Sequence, residues 1–361
     1  MRVLIAPDKF AGTLTAVEAA RAIAEGWART APGDELDLAP MADGGPGFVD
    51  VLHAALGGRL EAVTVTGPHG EPAPAALLLA GETAYVESAM ACGLHLTHRR
   101  EPERASTYGV GELVRTAVEA GATTVVVGLG GSATSDGGAG LLAALGATAD
   151  VPLDAGVAGL DGVGEVDLAP ARAAVAGVTL LAATDVDIPL TGLFGAAKTF
   201  GARKGIPEER LPAVDGLLQE WAGATDRQLS LEKGAGAAGG LGFALALLGA
   251  TRQPGVELVA EALRLPERAR TADLVVTGEG AFDFSSRSGK VPYGVAAVSA
   301  DAVRPCIALA GKVLVGSREM RALGIESAYS LVEVVGEERS FDDPGGALAA
   351  LAERVARTWS R

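Results

Sequence analysis

The residues with the most specific chemistry in this sequence lie in glycine-rich loops that directly follow short apolar runs. The longest such loop, GLGGSATSDGGAG, extends over residues 128–140. Glycines let several backbone N–H groups point at one anion, and neighbouring hydroxyls add further donors. The loop therefore favours phosphate binding over a simple tight turn, and these residues are the expected donors: Gly130, Gly131, Ser132 and Thr134.

The same loop also fits a dinucleotide-binding pattern. Gly128, Gly130 and Ala133 match G-x-G-x-x-G/A, and Asp150 follows 22 residues after Gly128. This match keeps an NAD-dependent dehydrogenase open as an alternative. The segment from Asp136 to residue 138 interrupts the helix that the dinucleotide pattern requires, so the alternative is the weaker one.

A second glycine-rich loop, KGAGAAGGLG, covers residues 233–242. Small residues at this density suit either a backbone cradle for phosphate or a close crossing of two chain segments, and the sequence leaves both open. If the loop is a cradle, Gly236, Gly239 and Gly240 are its expected donors.

Two carboxylates and a lysine follow a third apolar run. The motif VTGEGAFD (276–283) contains Glu279 and Asp283, and Lys290 comes shortly after it. Kinases need such groups to hold Mg²⁺, to accept the proton of the attacking hydroxyl and to neutralise phosphate charge. We expect Asp283 to accept the proton, Lys290 to stabilise phosphoryl charge, and Glu279 to help bind the nucleotide.

Further acidic residues follow other strand-like runs, and together they predict a cluster of carboxylates that binds a metal ion. In the segment 7–9, Asp8 and Lys9 are two further catalytic candidates. The expected metal ligands are Asp43, Asp136, Asp185 and Asp187. Asp136 could instead orient a hydrogen-bond donor. Lysine is scarce, with six residues against 24 arginines, and four lysines directly neighbour a glycine: Lys204, Lys233, Lys290 and Lys312. Their placement suggests phosphate contacts.

The elements that position these loops alternate between strands and helices at both ends of the chain. Residues 2–6 predict a strand, Thr15 and Glu18 predict a helix start through a capping box, and 34–39 predict a second strand. Runs within 61–88, separated by very short turns, indicate antiparallel strands. We therefore expect one α/β domain from residues 1–60 and 270–361, with an α+β domain, residues 61–269, inserted into it.

Composition excludes several classes of function. The net charge of −15 argues against a nucleic-acid partner. No apolar stretch is long enough for a membrane span, and the N-terminal apolar run is too short for a signal peptide. Two distant cysteines, Cys92 and Cys306, fit a reducing cytoplasm. The oligomeric state stays open between monomer and homodimer.

Taken in order, the motifs resemble the glycerate kinase family that includes bacterial glycerate 2-kinases. The resemblance covers nearly the whole chain and rests on these stretches: 5–16, 40–47, 106–114, 126–140, 184–192, 234–242, 276–283 and 288–292. It implies phosphorylation of D-glycerate by ATP with Mg²⁺, giving 2-phosphoglycerate more often than 3-phosphoglycerate. It also implies a Rossmann-like domain, a separate α+β domain and an active site in the cleft between them.

Three positions depart from the family pattern as the motifs are usually written. Ala11 stands where a lysine is usual, Pro46 where an acid is usual, and Ala281 where an arginine is usual. Because these residue types bind phosphate, metal or carboxylate, two alternatives stay open. They are a kinase for another small hydroxy acid and a non-catalytic relative that binds a nucleotide or an acid.

Overall fold

The computed structural model describes residues 1–10, 12–97, 101–283 and 290–360. Close contacts group the chain into two compact units. Unit 1 comprises Met1–Asp43, Asp50–Leu56 and Gly255–Arg361, and unit 2 comprises Gly44–Val49 and Gly57–Pro254. The domain bounds predicted from the sequence, 1–60 with 270–361 and 61–269, stay a prediction.

The strands of the described residues are mostly short, and each is numbered in chain order. They are β1 Arg2–Pro7, β2 Glu35–Leu38, β3 Arg59–Thr66, β4 Pro72–Ala80, β5 Thr83–Glu87, β6 Thr124–Gly128, β7 Thr148–Ala149, β8 Val166–Asp167, β9 Thr179–Ala183, β10 Thr251–Gln253, β11 Leu274–Phe282, β12 Cys306–Val313 and β13 Ser327–Ser330.

The helices range from a single turn to about four turns. They are α1 Ala16–Thr30, α2 Phe48–Leu56, α3 Ala89–Cys92, α4 Tyr108–Glu119, α5 Ala139–Ala144, α6 Ala169–Ala174, α7 Ala196–Lys204, α8 Leu211–Ala224, α9 Leu241–Leu247, α10 Gly255–Ala262, α11 Leu265–Thr271, α12 Val291–Asp301, α13 Ser317–Ala322, α14 Leu331–Val335, α15 Glu337–Asp342 and α16 Pro344–Trp359. None of these helices combines the length and the hydropathy that a membrane span requires.

Unit 1 is built on a parallel sheet in the order β13-β12-β11-β1-β2. Helices α1 and α16 cover one face, and α11 and α12 contact the strands of the other. Numbered within the unit, the order is 2-1-3-4-5, that of a doubly wound flavodoxin-like sheet. The predicted α/β class with a parallel sheet is confirmed, and both ends of the chain contribute strands to this sheet.

Local signals in the sequence explain where α1 begins. Glu18 donates its backbone N–H to the hydroxyl of Thr15 at 3.2 Å, and Thr15 donates its own N–H to the Glu18 carboxylate at 2.9 Å. This reciprocal pair is the capping box predicted from the sequence. The helix then buries Ile23 and Trp27 against the sheet, which fixes it beside β1.

Unit 2 contains a mixed sheet in the order β10-β9-β6-β5-β4-β3. Strands β3, β4 and β5 pair antiparallel, as predicted for 61–88, whereas β5, β6, β9 and β10 pair parallel. Gly128, the last residue of β6, is the register partner of Ala183, the last residue of β9. The loops that follow these two strands therefore leave the sheet at the same edge.

Candidate active site

A cavity of about 470 Å³ opens at the carboxyl ends of β1, β11 and β12 in unit 1. Strands β1 and β11 flank the point where the strand order of the sheet reverses, and doubly wound sheets bind ligands at that point. The lining is rich in charged side chains: Asp8, Lys9, Asp43, Glu279, Asp283, Lys290 and Lys312. The topology thus brings together residues from distant parts of the sequence.

The first charged cluster follows β1. Asp8 donates its backbone N–H to Gly278 of β11 at 2.8 Å, which fixes the loop to the neighbouring strand. The Oδ1 atom of Asp8 accepts the backbone N–H of Lys9 at 2.8 Å. The ammonium group of Lys9 lies 3.5 Å from Asp8 Oδ1 and 3.6 Å from Asp43 Oδ1, so one lysine bridges two carboxylates.

Asp8 is the deeply buried member of this cluster, with 6% of its surface exposed. Burial raises the pKa of Asp8 to about 7, because a charged carboxylate loses its hydration. The Lys9 ammonium opposes that shift, whereas the nearby charges of Asp43 and Glu279 add to it. The result is a carboxyl group whose pKa lies close to neutral pH.

The second cluster follows β11. Glu279 is nearly buried, and its Oε2 atom lies 3.6 Å from the ammonium group of Lys290. The Oδ1 atom of Asp283 lies 3.9 Å from the same group. The sequence predicted that Glu279, Asp283 and Lys290 converge, and the structure brings them together in one cavity. The nucleotide-binding role expected of Glu279 stays a prediction.

In unit 2, the two glycine-rich loops pack directly against each other. Gly137 donates its N–H to the carbonyl of Gly239 at 3.0 Å. A Cβ atom at Gly239 would lie 2.0 Å from the carbonyl oxygen of Thr134, and one at Gly240 would lie 2.4 Å from the Gly137 Cα. Both residues also have positive φ, at 74° and 103°. Glycine is therefore required here for close approach as well as for backbone conformation.

Asp136 holds the first of these loops together from the inside. Its fully buried carboxylate accepts the backbone N–H and the hydroxyl of Thr107, at 2.9 and 2.8 Å. It also accepts the N–H groups of Gly138 and Gly140, at 3.1 and 3.2 Å. Burial raises the pKa of Asp136, and these donors act in the opposite direction. The arrangement fits the donor-orienting alternative better than the expected metal ligand.

Lys204, at the end of α7, is a site residue that the sequence indicated only indirectly. Its buried ammonium group donates to the Ser132 hydroxyl at 3.1 Å and to the Thr134 carbonyl. Burial lowers the pKa of Lys204 to about 8. A cavity of about 240 Å³ adjoins it, also lined by Gly130, Gly131, Ser132 and Gly239. The only signal in the sequence was a scarce lysine beside a glycine, Gly205.

The predicted metal ligands occupy different surroundings. Asp185 is half-buried in the loop after β9, whereas Asp187 is more exposed, pairs with Arg252 and lies 3.6 Å from the Lys233 ammonium. In the described part of the chain, no three histidine, cysteine or acidic side chains come close enough to form a metal cluster. The metal-binding roles expected of Asp43, Asp136, Asp185 and Asp187 stay predictions.

Two of the three departures from the family pattern have a clear structural setting. The Cγ atom of Pro46 would lie 2.8 Å from a Cβ added at Gly131, so the proline ring packs on the first glycine-rich loop. Ala281 is the register partner of Lys312 on the next strand. Ala11 lies outside the described residues, as do residues 288 and 289 of the SGK motif.

The geometry of the 128–140 loop does not match a dinucleotide-binding turn. Helix α5 begins only at Ala139, after Gly137 and Gly138 with φ of 63° and 75°. The dinucleotide pattern requires the helix to open within the pattern itself, so that its N-terminus meets the pyrophosphate. The structure therefore does not support the dehydrogenase alternative.

Comparison with known proteins assigns the chain to a family. The model of the glycerate kinase family matches residues 3–360. The chain is 41% identical to an uncharacterised protein of Mycobacterium tuberculosis, covering 99% of this chain and 91% of that protein. It is 38% identical to the glycerate 2-kinase of Escherichia coli, covering 93% and 92%.

A solved structure gives the same result. The crystal structure of a protein described as a glycerate kinase 2 from Salmonella typhimurium LT2 superposes with a TM-score of 0.82 at 36% identity, covering 99% of this chain and 98% of that one. The chain therefore belongs to the glycerate kinase family, and it is a phosphotransferase.

Proposed function

We propose that this protein transfers the γ-phosphoryl group of ATP to a hydroxyl of D-glycerate, with 2-phosphoglycerate as the product. The observation that carries the proposal is the unit 1 cavity, where two clusters of lysine and carboxylate groups meet at the switch point of the sheet. The name of the Escherichia coli relative supports the 2-position over the 3-position.

The acceptor hydroxyl must lose its proton, and two carboxylates of the cavity are candidates. The sequence predicts Asp283 for this role. We favour Asp8, because burial brings its pKa to about 7, and a general base works best with a pKa near the operating pH. Asp283 would then position Lys290, whose ammonium group lies 3.9 Å from it.

Charge on the transferred phosphoryl group needs positive partners. Lys9 and Lys290 each lie within 4 Å of two carboxylates of the cavity, which hold both ammonium groups in place. Preorganised cations of this kind stabilise the transition state without further rearrangement. We propose that Lys290 is the main partner and that Lys9 assists.

The nucleotide phosphates would bind the glycine-rich loops of unit 2. The first loop offers backbone N–H groups near Gly130 and Gly131, with Lys204 as a cation next to Ser132. Asp136 supports this cradle indirectly, because its hydrogen bonds fix the conformation of residues 136–140. In the second loop, Gly236 and Gly240 donate their N–H groups to the carbonyls of Ile188 and Ala237, at 3.0 and 3.1 Å. These two glycines would therefore support the cradle through close packing, and Gly239 remains the proposed donor of that loop.

Mg²⁺ is the metal that this chemistry implies. It usually binds proteins through one or two carboxylates plus the substrate phosphates, so a closed set of protein ligands is not required. The carboxylate of Asp43, which lines the cavity, has suitable oxygen ligands. Asp185 and Asp187 stay predicted ligands in unit 2. When bound, the ion would neutralise charge on the phosphates.

The test is the release of ADP from ATP and Mg²⁺ with D-glycerate, compared with the same mixture without it. We expect glycerate-dependent turnover, and ³¹P NMR without proton decoupling then identifies the product. A phosphate on C2 couples to one proton and gives a doublet, whereas one on C3 couples to two and gives a triplet. ADP release that is independent of glycerate, despite ATP binding, would contradict the proposal.

A further inference from the structure

Three lysines line the unit 1 cavity, and one of them has a different environment from the others. Lys9 and Lys290 each bridge two carboxylates of the charged clusters. Lys312 lies on β12, and its ammonium group forms an ion pair with Glu337 at 2.6 Å. The proposed catalytic clusters therefore do not occupy its ammonium group.

The position of Lys312 on the sheet gives it access to the cavity. It is the register partner of Ala281 on β11, and register partners on parallel strands project to the same face. Ala281 has only a methyl group and is exposed, so it leaves space beside the lysine side chain. Glu279 lies two residues before Ala281 on the same face, a separation of about 6.6 Å along the strand.

The ion pair between Lys312 and Glu337 is easy to replace. The side chain of Lys312 is 45% exposed, and that of Glu337 is 63% exposed. Ion pairs between exposed side chains contribute little, because water solvates both charges well. A ligand carboxylate that enters the cavity can therefore take the place of Glu337 without leaving an unpaired buried charge.

The remaining lining near this lysine also suits a small organic acid. Leu331 and Val332 at the start of α14 and Phe341 in α15 provide apolar contact surface. A short carbon chain would lie against these residues while its charged end meets the lysine. Along β11, Glu279 lies two residues from Ala281, the register partner of Lys312. An acid of about three carbons, together with the lysine side chain, is long enough to bridge that distance.

We infer that Lys312 binds the carboxylate of the acceptor and thereby selects hydroxy acids over neutral alcohols. This inference rests on the proposed function, in which the acceptor is a hydroxy acid bound in the same cavity. Glu337 occupies the ammonium group until the acceptor arrives, and the acceptor carboxylate then replaces it. Lys312 is accordingly a specificity-determining residue, while the charged clusters perform the chemistry.

The test combines one variant, three controls and two acceptors. Lys312→Ala should raise the KM and the calorimetric Kd for D-glycerate about 10- to 100-fold, since a hydrogen bond to a charged group is lost. The KM for ATP should stay unchanged. With the neutral analogue D-glyceramide, wild type and variant should have the same KM, because that acceptor has no carboxylate for Lys312 to bind.

Controls separate binding from structural effects. Arg357→Ala removes another exposed ion-paired cation of unit 1, to Glu353, and should leave the KM for D-glycerate unchanged. Lys312→Arg should restore much of the lost affinity. Glu337→Gln should leave the KM for D-glycerate unchanged or lower it, because the competing carboxylate is removed.

The outcomes separate this inference from the proposed function. If wild type binds and phosphorylates D-glycerate and Lys312→Ala does so with an unchanged KM, the inference is wrong and the function stands. If wild type binds D-glycerate without turnover and the variant loses that binding, the inference stands and the function fails. Two results would show that the ion pair is structural and overturn the inference. One is that Lys312→Ala raises the KM for D-glyceramide as much as the KM for D-glycerate, and the other is that Glu337→Gln raises the KM for D-glycerate as much as Lys312→Ala does. No binding to wild type would overturn both.

Discussion

The two units prepare their candidate sites by different means. In unit 1, charged side chains from separate strands meet in one cavity, and ion pairs hold them in place. In unit 2, two runs of glycine bring backbone groups together, with Lys204 as the buried cation beside them. The first arrangement suits proton transfer and charge stabilisation, and the second suits recognition of phosphate, which many backbone N–H groups can share.

This difference suggests that the two kinds of site fail in different ways. A site made of side chains should lose its chemistry when one charge is removed, while the fold persists. A site made of closely packed backbone should lose its shape when one atom is added.

The largest effect should come from the proposed proton acceptor. Asp8→Asn should lower kcat/KM by about 10²- to 10⁴-fold, because a general base typically contributes that much. In wild type, kcat/KM should rise with pH through about 7 as the carboxyl group of Asp8 loses its proton. The variant should lack that rise, which a pH profile of initial rates will show.

Asp283→Asn is the matched comparison, because Asp283 lies in the same cavity and is the acceptor predicted from the sequence. We expect a loss of only about tenfold, through a less well positioned Lys290. If Asp283→Asn instead removes the pH dependence and loses more activity than Asp8→Asn, the prediction from the sequence was right and the assignment to Asp8 is wrong.

In unit 2, adding one methyl group to the glycine-rich loops should weaken nucleotide binding strongly. The Cβ of Gly239→Ala would clash with the Thr134 carbonyl and require a left-handed conformation. We expect the Kd for ATP, measured by calorimetry, to increase on the order of 10- to 100-fold, given a strain of about 1–3 kcal/mol.

Gly223→Ala in α8 is the control, since a Cβ there would meet nothing within 4 Å. It should bind ATP like wild type and have an equal or higher Tm, because alanine is the better helix former. Unchanged ATP binding by Gly239→Ala would contradict a phosphate cradle at this loop.

Lys204→Met tests the one charged side chain assigned to phosphate in unit 2. It should raise the Kd for ATP about tenfold, because a hydrogen bond from a charged group is lost. The Tm should fall little, because the variant no longer has to bury an ammonium group, which is costly in wild type. Lys198→Met on the same helix makes the same charge change and should leave the Kd unchanged. Equal effects of the two variants would exclude a specific role for Lys204.

The smallest effect should be on stability. The Asp8 carboxyl has a pKa of about 7 in the folded protein and 3.8 as its ordinary value, so the folded state binds more protons between these pH values. Stability is therefore lost as pH rises from about 4 to about 7, and the loss is complete above that. Asp8→Asn should exceed wild type in Tm by a margin that grows over this range and then stays constant, reaching on the order of 2–5 °C. A constant margin at all pH values would contradict the raised pKa.

The comparison of the units also explains what could be predicted from the sequence. The 128–140 loop directly follows an apolar run, so its position at the end of β6 was evident. The 233–242 loop was expected at a strand end as well, but it follows helix α8 rather than a strand. The capping box of α1 and the antiparallel strands of 61–88 were predictable for the same reason. The contact between Gly137 and Gly239 was not, because about 100 residues separate the two and nothing local specifies the pairing.

The side-chain site was predictable only in part. Glu279, Asp283 and Lys290 are close in sequence and were grouped correctly, whereas the pairing of Lys9 with Asp43 depends on the strand order. The register of β11 against β12 places Lys312 beside Ala281, and no periodicity in either segment reveals that register. The internal role of Asp136 depends on Thr107, which the sequence did not indicate.

Hydrogen exchange measured by mass spectrometry tests the division between the units most directly. A non-hydrolysable ATP analogue with Mg²⁺ should slow exchange of the amides at 129–138 and 234–240, while D-glycerate should slow exchange at 8–13 and 279–283. If the nucleotide analogue protects the unit 1 segments and leaves both glycine-rich loops unchanged, the assignment of phosphate binding to unit 2 is contradicted.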